Sequence, residues 1–169
     1  MSEKYEHKHN ESDIVKLKLS FILEECDKHI SRITYATGKM QNFMPLNAEK
    51  YSSLTDEEIG YIDQFIFRFS KLQDSMGKRL FPLILTIIGE DPEDMSFADI
   101  LNRLEKLKVI NDAGDWKKLR EIRNEISHEY SSENNYLIEG INKFYLATPY
   151  IISVYSGIKE YLKAHGRYS

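Results

Sequence analysis

Arg123, Asn124, Ser127, His128 and Tyr130 fall within eight residues, and no other stretch of the chain gathers reactive side chains so closely. The residue types suit a phosphodiester. Arginine is always charged and offers a rigid fork of donors for phosphate oxygens. Histidine titrates near neutrality and can take or deliver a proton. Asparagine and serine add neutral hydrogen-bonding groups. No second histidine lies nearby, and no Asp/Glu–His spacing of a metal cage occurs. The chemistry expected here is therefore free of metal and of any cofactor.

These residues must be positioned by a helix. Trp116, Leu119, Ile122 and Ile126 recur at three- and four-residue intervals and mark one apolar face. Asp115 is the expected cap at its start. On an ideal helix Arg123 and His128 lie about 140° apart. They converge if the arginine reaches round, if the helix loosens towards Ser131, or if a second copy of the chain completes the site. Lys117, Lys118 and Arg120 precede the cluster and bring positive charge close to it. They read either as a solvated face paired with Glu121 and Glu125, or as a guide for nucleic-acid phosphates.

The pattern Arg-x-x-x-x-His-x-Tyr, with a polar residue directly after the arginine, resembles the signature of HEPN domains. It is most similar to the HepT-like toxins that pair with small nucleotidyltransferase antitoxins. The match is carried by Arg123, Asn124, His128 and Tyr130, at the end of the fourth of five predicted helices. The resemblance spans roughly residues 12–165. It implies a metal-independent endoribonuclease, usually a homodimer with its two motifs facing each other. It implies control by a cognate nucleotidyltransferase that in some members adenylylates the motif tyrosine, here Tyr130. On that reading Arg123, His128 and Asn124 are the catalytic candidates. Lys117, Lys118, Arg120 and Ser127 are the candidates for contact with RNA.

The remaining elements read as a helical bundle. Residues 1–11 are polar and are expected to form a flexible tail; His7 and His9 within it read as solvated. A first helix is expected from Ser12 to about Lys39, with His29 and Arg32 on its exposed face. Residues 40–54 lack a helical period and are expected to form a loop pinned by Phe43 and Tyr51. A second helix opens with a Thr55–Glu58 capping box. It carries the strongest apolar period of the chain, with a kink expected near 78–82 because of Pro82. Gly77 offers a place where another helix can come close. A short third helix follows Ser96, with Arg103, Lys106 and Lys108 on its outer side. The last helix is expected from about Glu133 to His165, bent at Pro149. Its tyrosines (Tyr136, Tyr145, Tyr150, Tyr155 and Tyr161) are spread over more than one face, as suits a helix with a second subunit against it. Residues 166–169 form a tail. The fold expected is all-α, an up-and-down bundle of about five helices with a kinked second and a long last member.

Composition agrees. The chain has 169 residues, one domain's worth, and only 8 glycines and 4 prolines, which favours helices over turns. A net charge of −4 argues against general coating of nucleic acid but leaves room for a local basic site. The single cysteine, Cys26, cannot form an internal disulfide and reads as a buried core thiol. That fits a cytoplasmic protein, and neither a signal peptide nor a membrane span is expected from the polar start and the short apolar runs.

Two other functional classes fit the same residues. In one, the chain is a non-catalytic helical partner or substrate-binding subunit of a nucleotidyltransferase. In the other, Arg123 pairs with a nearby glutamate and His128 merely closes a helix at its negative pole.

Overall fold

The computed structural model describes residues 2–128 and 134–166, with the side chains of 12–124, 126 and 135–166. It is an all-α bundle, with no strand among the described residues. Helix α1 runs Ser2–Met40, α2 Ala48–Ser52, α3 Asp56–Asp74, α4 Phe81–Ile87, α5 Phe97–Lys106, α6 Ala113–His128 and α7 Asn134–Ala164. A π-helical segment, Ser75–Leu80, joins α3 to α4 without a break. Helix α1 packs along α3 and the π segment, α7 lies against α3 and α6, and α5 bridges α4 and α6.

Local signals explain most boundaries. The Thr55 hydroxyl accepts from the Glu58 backbone and the Glu58 carboxylate accepts from the Thr55 backbone, a complete capping box. Ser96 caps α5 by accepting from the Asp99 N–H. Three boundaries differ from expectation. Helix α1 begins at Ser2, so Ser12 is a mid-helix residue; residues 2–11 contain neither glycine nor proline to stop the helix. Helix α6 begins at Ala113, and its cap is Asp112, whose Oδ1 accepts from the N–H groups of Gly114 and Asp115. Asp115 sits in the first turn and pairs with Lys118 instead. Within residues 40–54, Asn47 caps the short helix α2. Phe43 is buried, Tyr51 is half-buried, and the tightest hold on the segment comes from α7: Asn142 both accepts from the Leu46 N–H and donates to the Leu46 carbonyl, at 2.8 Å each.

The π segment has its own cause. Leu72, Met76, Leu80 and Ile84 follow one another at four-residue steps, and all four are fully buried. On an ideal α-helix each such step drifts by about 40°. The wider π turn takes up this drift and keeps the row facing the core. It ends where Phe81 N–H donates to the Met76 carbonyl, one residue before Pro82, which then occupies the first turn of α4. The disturbance expected near 78–82 is thus a change of hydrogen-bond register begun at Ser75.

Aromatic packing ties the layers together. The Phe69 and Phe144 rings stack at 4.2 Å between α3 and α7, and Phe81 meets Trp116 at 4.6 Å between α4 and α6. On α7, Tyr155 is buried and donates to the Leu23 carbonyl at 2.9 Å, so part of the tyrosine spread serves this chain's own core. Tyr136 and Leu146 are the exposed large apolar residues of that helix. Cys26 is buried, and burial pushes its thiol up to about 12. His29, expected on an exposed face, is instead 7% exposed and lies between α1 and α3. No helix among the described residues is long and apolar enough to cross a membrane.

Candidate functional site

Helix α6 presents Arg123 and Asn124 to a cleft of about 280 Å³ that it shares with the α3–π junction. Gln73, Asp74, Gly77 and Lys78 form one wall; Trp116, Arg120, Arg123 and Asn124 form the other, and Phe97 of α5 closes the end. Three cations face one carboxylate here, a local positive balance within an acidic chain.

The carboxylate is Asp74. Arg123 donates to both of its oxygens, Nη1 to Oδ1 at 2.5 Å and Nη2 to Oδ2 at 2.8 Å, and Lys78 Nζ approaches Oδ1 at 3.1 Å. Burial favours the neutral acid and is the largest single influence on Asp74. Hydrogen bonds and charge from Arg123 and Lys78 together outweigh it, so Asp74 is held below the usual aspartate range. Arg123 thus has an acidic partner on α3.

Arg120 lies over the Phe97 ring, 4.5 Å from its centroid, a cation–π contact within the lining of the cleft. Lys118 donates to Asp115 at 2.9 Å, and Lys117 is exposed. Of the three basic residues before the motif, only Arg120 lines the cleft with Arg123. Ser127 and His128 form the last turn of α6; their side chains, and all of Tyr130, lie outside the described residues.

Two further residues line the cleft: Gln73, which the sequence pattern does not single out, and Trp116, expected only as part of the apolar face. Gln73 is 3% exposed and Trp116 is 1% exposed. Neither the Gln73 Oε1, the Gln73 Nε2 nor the Trp116 Nε1 has a hydrogen-bond partner among the described residues. Each such buried polar atom costs about 1–3 kcal/mol, and folded proteins carry few of them. The sequence held one hint: Gln73 stands four residues after Phe69 and four before Gly77, a polar residue on an otherwise core-facing row. The Gly77 backbone completes that wall. A methyl group there would sit 3.5 Å from the Phe97 ring and 3.6 Å from Trp116 Nε1, in ordinary contact, so this position tolerates alanine sterically.

No cluster of three or more His, Cys, Asp or Glu side chains able to hold a metal ion occurs among the described residues. The chemical capacity of the cleft is that of an anion grip beside hydrogen-bonding and stacking groups. Comparison with protein-family models, curated proteins and solved structures returned no match to this chain.

Proposed function

We propose that this chain is a metal-independent endoribonuclease of the HEPN toxin kind, neutralised by a cognate nucleotidyltransferase antitoxin. The observation that supports it is the cleft in which Arg123 and Asn124 meet Arg120 and Lys78, on the helix that ends at His128. In this reading the phosphate of a bound RNA sits at Arg123 and Asn124. Asp74 orients the Arg123 guanidinium from behind. His128 removes the proton of the ribose 2′-hydroxyl. The 2′-oxygen bonds to phosphorus, the bond from phosphorus to the 5′-oxygen breaks, and that oxygen takes a proton from water as it leaves, while His128 gives the proton it removed back to solvent. The products are a 2′,3′-cyclic phosphate and a 5′-hydroxyl. Arg123 stabilises the charge that develops on the phosphoryl oxygens. Lys117, Lys118 and Ser127 serve RNA approach, and a second copy of the chain supplies the facing motif. Adenylylation of Tyr130 by the transferase would place bulk and negative charge where RNA phosphate must bind.

One observation favours a second reading. Arg123 is engaged by Asp74 at both terminal nitrogens, which suits a strut between helices in a non-catalytic, transferase-binding subunit. The test separates the two. The chain is induced alone and beside His128→Ala and Arg123→Ala, and each purified protein is incubated with RNA in the presence of a chelator. The nuclease reading expects growth arrest and cleavage by the unaltered chain only, with a loss of about 10²–10⁴ in rate in either variant. It also expects rescue by the transferase with one AMP on Tyr130. Intact RNA and undisturbed growth with every protein would leave the binding-subunit reading.

A further inference from the structure

The cleft is more elaborate than a phosphate grip requires. Phosphate needs donors only. The cleft that holds Arg123 and Asn124 is also lined by Gln73, whose buried carboxamide can donate and accept together, and by Trp116 with its indole N–H, and none of these three polar atoms has a partner among the described residues. At the end is a flat, stacked pair, Arg120 over Phe97. A π segment, a feature that recurs at functional sites, shapes the wall that carries Gln73 and Gly77. Single-stranded RNA is read with these same groups: side-chain amides on the base edge, and aromatic rings or guanidinium planes on its face. A volume of about 280 Å³ is at the low end for a small-molecule pocket and suits one planar ring.

We propose that this cleft seats one unstacked nucleobase of single-stranded RNA. Its hydrogen-bonding edge faces the Gln73 amide and the Trp116 N–H, its face lies against Arg120, and its phosphate lies at Arg123 and Asn124. This inference rests on the reading of the site as an RNA site and adds base selection to it. The Gln73 and Trp116 atoms are closed off from solvent, so the wall must open for a base to reach them. Lys78 on one wall, and Arg120 and Asn124 on the other, are the exposed side chains of the lining. A base entering beneath Arg120 keeps the guanidinium on its face. A glutamine amide pairs bidentately with a base that offers a donor next to an acceptor, and such a pair discriminates by about tenfold to a hundredfold.

The test compares Gln73→Met, close in size but without the amide, with the unaltered full-length chain. Binding of labelled 12-residue RNAs of A, C and U is followed by fluorescence anisotropy, and thermal stability is measured beside it. The unaltered chain is expected to favour one of the three by about tenfold or more. Gln73→Met should bring the three to within about threefold and leave the weaker ligands unchanged. Its melting temperature should hold or rise, because an unpaired buried amide is gone. A purely structural glutamine would instead lower the melting temperature and leave base preference intact; either result overturns the inference. Gly77→Ala, which sets a methyl group against Phe97 and Trp116 Nε1, should weaken all three RNAs; full affinity in that variant would also count against the cleft. Cleavage of the favoured RNA by the unaltered chain and by His128→Ala separates this inference from the nuclease reading. Base preference that depends on Gln73 without cleavage that depends on His128 overturns the nuclease and keeps the base site. The opposite pattern overturns the base site and keeps the nuclease. Failure of the unaltered chain to bind any of the RNAs overturns both.

Discussion

Arg123 on α6 holds both carboxylate oxygens of Asp74 on α3, across 49 residues of sequence. This pair fastens the motif helix to the π junction and fixes where the guanidinium stands. It is half-buried, between the near-zero worth of exposed pairs and the 3–5 kcal/mol lost when a buried pair is broken, so Asp74→Asn should cost about 1–2 kcal/mol at neutral pH. The pH dependence has a definite sign. Asp74 is held below its ordinary value in the folded chain, so the unfolded chain takes up this proton first. The stabilisation is complete above about pH 4 and is lost as pH falls through the folded value. Urea midpoints for the unaltered chain and Asp74→Asn should differ at pH 7 and converge in acid. A gap of the same size from pH 7 down to pH 2 would show that the pair contributes nothing of this kind.

His29 gives a second pH signature in a different window. Its Nε2 is 3.7 Å from Glu25 Oε1 and its Nδ1 is 3.4 Å from Arg68 Nη1. Burial, then the charge of Arg68, lower its pKa below 6.5; Glu25 opposes them, and Lys71 adds slightly. The unfolded chain therefore binds a proton on falling below about pH 6.5 that the folded chain resists. Stability should be full above that pH and decline below it. His29→Gln should flatten the slope between pH 7 and 5 in a series of denaturant titrations, and a slope that survives the substitution belongs to another group.

Asn142 is the clasp on the segment before α2. Its amide serves both the N–H and the carbonyl of Leu46. Asn142→Ala should cost about 1–3 kcal/mol by leaving backbone groups unpaired. Hydrogen exchange should quicken at Leu46 while α3 keeps its protection. Uniform loss of protection across the bundle would mean that the clasp is part of the global core.

Gly140 marks the close approach of α7 to α6. A Cβ there would lie 2.6 Å from Ile126 Cγ1, in the last turns of the motif helix. Gly140→Ala should destabilise by about 1–3 kcal/mol through overpacking, despite alanine's better helix propensity. Adding Ile126→Ala should recover part of the loss, because the clashing atoms are removed. A double variant no better than Gly140→Ala alone would place the strain elsewhere.

The helices were legible because apolar periodicity and caps are local. Thr55 with Glu58 and Ser96 with Asp99 place two helix starts by residues three apart. The motif residues stand close together in sequence, and of them Arg123 and Asn124 have described side chains, both in the cleft. What was hidden is non-local. Nothing near Arg123 names Asp74 as its partner, and nothing near His29 shows that α3 covers it. Asp112 and Asp115 compete as caps within one turn, and the side chain that reaches the first N–H groups decides. Gln73 was hidden because a single polar residue in an apolar row has no meaning until its partners can be counted.

The π segment makes the cleft depend on a count of residues. Residues upstream of Ser75 and downstream of Leu80 are held at an angular offset set by the surplus in that wide turn. Removing one residue between them would return the helix to ordinary pitch. A second removal has no surplus to absorb it and would rotate Gln73 and Asp74 by about 100° against everything that follows. Every side chain in the wall could then be intact and the site still be taken apart. The spacing itself is a component of the cleft, and a change of length that the wide turn cannot absorb should be tolerated far less well than a substitution.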